Sequence, residues 1–401
     1  MAVPLEKRMT SAAFAFRGYD VKNLGRTPEL LAHPVYGSTV ERYVNEGSEI
    51  CSAATNRSIN LVGRIRRKAE SSIHTYAQDL AMIVAVELAQ LKLLEEHFGV
   101  SLAKAQMAFG YSLGEVSALV ACGVYSMEAA LTPLLKLAAD AASLAKNVRM
   151  GIVFSRGPAL NLDAVRRLCL QISNEGKGVI GISSHLSPNT VLLLGQGETV
   201  VEFKRRMGDV LPAPVHLREN PNRWPPMHTQ IVRQKNIPNR ASVFLDGAAG
   251  GFVVPHPPVL SMVTGGFDYN DYNSREMLER WVDHPQRVWS VISRTLSEGV
   301  ETVIHLGPDP NILPATFNRL SIDVTTQLSG RSLGSLGLRA VSRIVRRRRP
   351  WLSNLLSENA SLLRAPFVEQ VIVEDWLLQQ EFSGVTKVEE SKSRKVQESK
   401  S

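Results

Sequence analysis

The residues whose types and spacing could do chemistry lie in Phe109-Gly110-Tyr111-Ser112-Leu113-Gly114-Glu115. Ser112 stands between Gly110 and Gly114 in the G-x-S-x-G arrangement of a nucleophile elbow. A short apolar run, Ala105 to Phe109, leads in, and a helix-period run, Glu115 to Cys122 closed by Gly123, leads out. This strand–turn–helix context lifts a hydroxyl clear of a sheet, and glycine-sized neighbours let strand and helix approach closely. The next backbone N–H, on Leu113, then faces the oxygen on which charge develops during acyl transfer. An ordinary glycine-rich strand-to-helix turn reads similarly, so the chemistry needs a partner.

A serine hydroxyl is a weak nucleophile until a base takes its proton. Of nine histidines, His33, His97 and His284 lie in polar runs, and His256 lies among Pro255, Pro257 and Pro258. His228 differs, because the prolines of Trp224-Pro225-Pro226-Met227-His228-Thr229 fix its approach. It is the candidate base, although a lone histidine is more often structural.

The elements that must position this pair are legible in outline. Residues 1–11 read as a frayed tail, and Phe14 to Val148 as strand, helix, long helix, strand, elbow and helix. Gln78 to Phe98 forms one amphipathic helix through Leu80, Ile83, Val84, Leu88, Leu91 and Leu94. Strands at 151–154, 179–182, 190–194 and 213–217, with helices at 162–174 and 199–207, give a βαββαβ order. The expected fold is α/β. An α/β-hydrolase-like large subdomain with a parallel sheet (12–148 and 219–328) holds an inserted ferredoxin-like small subdomain (149–218). The insert falls between Ser112 and His228, so the site should form where the two subdomains meet. Gln230 to Gly266, rich in Gly and Pro, reads as an inserted loop or hairpin near the mouth of the cleft.

Residues 329–401 read as a C-terminal extension. Ser329 to Ser335 is a linker by composition and Leu338 to Val345 a short basic helix. Trp351 to Gln380 is apolar enough to dock, and roughly the last twenty residues, rich in Lys, Glu and Ser, should be disordered.

Composition narrows the class. At 401 residues and 44% hydrophobic the chain can bury a large core. No apolar run approaches the ~20 residues needed to span a bilayer, and the first residues lack the apolar core of a secretory signal. Cys51, Cys122 and Cys169 fit neither a disulfide framework nor a metal cluster, which suits a reducing cytoplasm. The net charge of +8 concentrates in Arg64 to Lys68 and Arg343 to Arg349. Neither run carries interleaved aromatics, zinc spacing or a helix-turn-helix pattern, so a nucleic-acid partner is not expected. A solvated positive face explains each run as well as a docking role does.

The elbow, with Ser117-Ala118-Leu119-Val120-Ala121-Cys122-Gly123-Val124 after it, resembles that of the malonyl-CoA:acyl carrier protein transacylases and polyketide-synthase acyltransferases. Phe14-Ala15-Phe16-Arg17-Gly18 is similar to the family's opening strand and oxyanion loop, and Ala77-Gln78-Asp79-Leu80 to its Thr-Gln-Pro-Ala segment. Pro226-Met227-His228-Thr229 resembles the segment of the catalytic histidine. Trp281 to Trp289, Glu298 to Glu301 and His305-Leu306-Gly307-Pro308-Asp309-Pro310 are similar to the C-terminal helix, strand and Gly-Pro turn. The matches keep the family's order over roughly residues 12–325.

The resemblance implies ping-pong transfer from acyl-CoA to the phosphopantetheine arm of an acyl carrier protein in fatty acid or polyketide synthesis. It implies no bound cofactor, since acyl-CoA is a substrate. Ser112 would be the nucleophile, His228 the base, the N–H groups of Leu113 and Lys22 the oxyanion donors, and Gln78 and Tyr111 part of the acyl pocket. A basic face would steer the acidic carrier protein and the phosphates of CoA.

Several positions depart from the pattern. Tyr111 replaces a histidine, and Arg17-Gly18-Tyr19-Asp20-Val21-Lys22 keeps only one glycine of the oxyanion loop. The residue whose carbonyl orients the histidine is replaced near Gln286-Arg287. Leu137 stands where malonyl-specific members carry an arginine against the malonyl carboxylate. Leucine would leave that carboxylate unpaired, at a cost of roughly 3–5 kcal/mol. Lys136 points about 100° away on the helix, whereas Arg149 or Arg156 could reach across the cleft. Acetyl or longer uncharged acyl groups are therefore expected over malonyl. A serine hydrolase acting on thioesters and a non-catalytic scaffold of the same fold remain as alternatives.

Overall fold

The computed structural model describes residues 3–211, 214–329, 342 and 358–382. Its strands are β1 (Ala12–Phe16), β2 (Met107–Gly110), β3 (Val148–Ser155), β4 (Ile180–Ser187), β5 (Thr190–Gln196), β6 (Val215–Asn220), β7 (Val259–Leu260), β8 (Thr302–Leu306) and β9 (Glu369–Ile372). They form two sheets, one in the order β7-β2-β1-β8-β9 and one in the order β4-β5-β3-β6.

Every pairing in the first sheet is parallel, and β1 is buried along its whole length. A parallel sheet covered on both faces needs apolar residues at successive positions rather than alternate ones, and Ala12 to Phe16 supplies them. Phe14 and Phe16 point into the core under the helix Tyr76–Phe98. Ala13 and Ala15 point the other way, with Met107 and Phe109, against Val288, Val291 and Leu296 of the helix Val288–Ser297. The long helix starts two residues earlier than its apolar periodicity suggests. Ser72 and Thr75 form a capping box on the turn before it, and Gly99 closes it in a left-handed conformation (φ 64°).

The second sheet is antiparallel throughout, with β3 and β5 at its centre and the helices Leu162–Asn174 and Thr199–Val210 packed on one face. This is the βαββαβ arrangement expected from the sequence, element by element. Val153, Val191 and Leu193 face its own core, while Met150, Ile152, Leu192 and Leu194 turn the other face of β3 and β5 toward the large subdomain.

Three segments differ from their sequence reading. Leu5 and Met9 are buried on two short 3₁₀ turns, Leu5–Lys7 and Met9–Ser11, so this end is packed rather than frayed. The stretch after Thr229 is a loop only in part, across 247–258. It holds the 3₁₀ turn Gln230–Lys235, the helix Ile237–Asp246 and β7 beside β2. Asn236 at φ 52° turns the chain, and Pro238 suits a first helical turn because its missing N–H needs no partner there. Toward the C-terminus, β9 extends the parallel sheet beside β8, and Val373 and Leu377 of the helix Val373–Leu378 are buried. Glu374 on that helix accepts hydrogen bonds from the backbone N–H groups of Arg26 and Asp309, each 2.8 Å long. It thereby ties together the loops that follow β1 and β8, and burial pushes its carboxyl up to about 7. The basic run Arg343 to Arg349, the expected helix at 338–345 apart from residue 342, and the Lys/Glu-rich tail lie outside the described residues. Among the described residues no helix is long and apolar enough to cross a membrane.

Candidate active site

Between the end of β2 at Gly110 and the start of the helix Leu113–Ala121, the chain reverses at Ser112 with φ 53° and ψ −118°. An L-residue rarely adopts that conformation, and it persists only where the surroundings over-determine it. They do so here by contact. A Cβ on Gly110 would come within 2.0 Å of the Gly114 carbonyl carbon, and one on Gly114 within 2.2 Å of the Phe16 oxygen. Both glycines of the motif are thus required by the approach of β1, β2 and the helix.

The hydroxyl so presented lies 2.7 Å from Nε2 of His228. On the far side of the ring, Nδ1 donates to the carbonyl of Trp281 at 2.6 Å, which leaves Nε2 as the acceptor for Ser112. The expected loss of the orienting group near Gln286-Arg287 is corrected by this geometry. A backbone carbonyl orients the ring, and Gln286 itself is in the site. Its Oε1 accepts from the Ser112 N–H at 3.2 Å, and its Nε2 lies 3.3 Å from His228 Nδ1. Trp281 also donates from Nε1 to the Ser112 carbonyl at 3.0 Å and stands edge-on to the imidazole.

Burial pushes the His228 imidazole down to about 4, against the pull of its bond to Trp281. The ring is therefore neutral, and a base, through the physiological range. The acid limb of kcat/KM against pH is expected near pH 4, and an inflection between 6 and 7 would contradict the buried geometry. The folded protein binds this proton less readily than the unfolded chain. Stability contributed here is full above about pH 6.5 and declines as the pH falls toward about 4.

The Leu113 N–H is the first of its helix and has no acceptor within it. Lys22 is not its counterpart. That side chain is exposed, its carbonyl accepts from Arg17 Nη2 at 3.3 Å, and it does not line the cleft. The loop meets the elbow earlier, at Gly18, where a Cβ would stand 3.2 Å from Ser112 Cβ. The next residue, Tyr19, lines the cavity that contains Ser112.

That cavity, about 310 Å³, runs between the subdomains past Tyr111, Met150, Leu194, Trp224 and Ile312 to Ser112 and His228. A smaller apolar pocket of about 30 Å³ continues beyond Ser112, under Tyr76, Leu134, Leu137, Ala138 and Ile237. Leu137 is buried against it, and Tyr111, its hydroxyl pushed up to about 12 by burial, lines the larger space. Gln78 lines neither. Tyr76 and Leu80 do, because positions four apart share a helix face while Gln78 sits roughly 200° round from Tyr76. Among the lining residues of both spaces the one carboxylate is Asp20, and there is no Lys or Arg. The three cations named from the sequence are engaged or distant. Arg149 pairs with Glu198 at 2.7 Å, Lys136 lies over the Phe244 ring, and Arg156 is exposed outside the cavity.

With a parallel five-stranded sheet, an inserted antiparallel sheet and a serine elbow at their junction, the chain has the fold of solved malonyl-CoA:acyl carrier protein transacylases. The acyl carrier protein S-malonyltransferase of Vibrio cholerae superposes with a TM-score of 0.61 at 18% identity, over 77% of this chain and 93% of its own. MCAT from Streptococcus pneumoniae gives 0.60 at 20% identity, over 77% and 92%. A malonyl-transacylase in complex with the acyl carrier protein of a type II polyketide synthase gives 0.57 at 19%, over 77% and 92%. No protein-family model and no curated protein matches the chain in sequence.

Proposed function

We propose that the protein is an acyltransferase that moves an uncharged acyl group from CoA to the phosphopantetheine thiol of an acyl carrier protein through acyl-Ser112. The observation that carries this reading is the Ser112–His228 pair, 2.7 Å apart, at the inner end of a cleft lined without a cation. His228 Nε2 takes the Ser112 proton as Oγ bonds to the thioester carbon. The oxyanion is held by the N–H groups of Leu113 and Tyr19. Collapse breaks the C–S bond, and His228 returns its proton to the CoA thiolate. The carrier thiol then repeats the sequence in reverse, with His228 again as base. The likeness to malonyltransferases supports the carrier protein as acceptor and a place in fatty acid or polyketide synthesis.

The acyl group is where this chain parts from its structural neighbours. A malonyl carboxylate entering the pocket under Leu137 would find no positive partner and would share the cleft with Asp20. An unpaired buried charge costs several kcal/mol, whereas each buried methylene gains about 0.8 kcal/mol. The test is to incubate the protein with acetyl-, butyryl- and malonyl-CoA and follow the mass added to the Ser112 peptide. Uncharged groups should load faster, Leu137→Arg should shift the preference toward malonyl by tenfold or more, and holo-carrier protein should discharge the adduct. Fastest loading by malonyl-CoA would overturn the uncharged-acyl reading. Absence of any adduct would overturn acyl transfer, and decay independent of thiol would make the protein a hydrolase.

A further inference from the structure

We propose that Arg17 is a positioning residue: its guanidinium fixes the Gly18–Tyr19 peptide so that the Tyr19 N–H faces the oxyanion formed on Ser112. The inference rests on the acyl-transfer reading above. Arg17 follows the last residue of β1 and is buried, and its own N–H donates to Glu87 Oε1 at 2.7 Å. Its side chain turns back on its own loop. Nε donates to the Gly18 carbonyl at 2.8 Å, Nη2 to Asn23 Oδ1 at 2.8 Å and to the Lys22 carbonyl at 3.3 Å, and Nη1 to the Pro308 carbonyl. None of these acceptors is a carboxylate, and among the described residues the guanidinium forms no ion pair. What this buried fork does is hold backbone carbonyls of the loops after β1 and β8.

One of those carbonyls decides the rest. In a planar trans peptide the C=O and the following N–H point in opposite directions. With the Gly18 oxygen drawn onto Arg17, the Tyr19 N–H must point away from Arg17. Gly18 is pressed on its other side against the elbow, where a Cβ would stand 2.7 Å from the Tyr111 oxygen and 3.2 Å from Ser112 Cβ. The Tyr19 N–H has no acceptor among the described residues, as a donor reserved for a transient charge should. Released from Arg17, the peptide is free to turn, and a flipped carbonyl would present its negative end to the oxyanion. The loop has one glycine, so the guanidinium supplies the constraint. A lysine could not, because its ammonium lacks the planar fork that reaches four oxygens at once.

The test uses the full chain carrying Arg17→Lys or Arg17→Met, with the acyl-CoA that loads wild-type Ser112 fastest. Acylation kcat should fall about 10²-fold, the scale of one lost oxyanion donor, while KM stays within about threefold. A folded variant with kcat within twofold of wild type would overturn the proposal, as would a parallel loss of kcat, KM and melting temperature. Where the Arg17 variants do not fold, Asn23→Ala removes one acceptor of the fork. It should lower kcat severalfold at unchanged KM, and an unchanged kcat would equally overturn the role. Wild-type protein that forms no acyl-Ser112 overturns this inference together with the acyl-transfer reading. Wild-type acylation with indifferent Arg17 variants overturns this one alone.

Discussion

Ser112→Ala is expected to remove acyl transfer, lowering the acylation rate by about 10⁴–10⁶, the range seen when a serine nucleophile is deleted from a site that acts as a unit. The fold should persist. Ser112 contributes one hydrogen bond to His228, worth about 0.5–1.5 kcal/mol net, and its φ of 53° is enforced by the packing of Gly110 and Gly114 rather than by the hydroxyl. Melting temperature should therefore move little while the mass shift on the 112 peptide vanishes. Transfer by the alanine variant at near wild-type rate would make the elbow decorative and end the acyl-enzyme account.

His228→Ala should cost about 10²–10⁴ in rate, the usual span for a lost general base. No other histidine lines either space. The other nitrogen-bearing groups at the elbow, the Gln286 amide and the Trp281 indole, are not bases near neutral pH. Single-turnover acylation of wild type and variant measures the ratio directly. A ratio below two would show that another group takes the serine proton. The backbone around His228 is itself unusual, at φ 64° with its N–H bonded to the Val282 carbonyl, so the variant's fold should be checked alongside.

Ser112 and His228 were legible because each is framed by residues with a backbone meaning, glycines in one case and prolines in the other. The helices of the small subdomain were legible because each buries one face, so period announces type, whereas β5 is buried on both faces and reads as a short apolar run. What stayed hidden was backbone chemistry. Tyr19, not Lys22, is the residue of the loop after β1 that lines the cavity at Ser112, and the backbone that a loop presents leaves no mark on side-chain identity. The carbonyl that orients His228 belongs to Trp281, whose side chain reads only as core. Gln78 is placed in the acyl pocket by its likeness to the Thr-Gln-Pro-Ala segment, whereas the register of the long helix turns Tyr76 inward. β9 escaped notice because Glu369-Gln370-Val371-Ile372 is short and half polar, as suits an edge strand. An apolar pocket under Leu137 was foreseeable from one residue, but the absence of a rescuing cation from its lining required the fold.

The sheet order β7-β2-β1-β8-β9 also sets a timetable for a chain made from its N-terminus. β1 is synthesised first and sits in the middle. Ala13 pairs with Met107 on one side, and Ala12 with Thr302 on the other. The small subdomain, whose pairings all fall between Val148 and Asn220, can close its sheet while β8, one of β1's two neighbours, has yet to leave the ribosome. Contacts of such long sequence separation are slow to form and leave apolar edges open meanwhile. Ser112 and His228 lie on either side of that insert, and the Trp281 carbonyl and β9 come later still. The Ser112–His228–Trp281 arrangement can therefore form only after the chain has been made past Trp281.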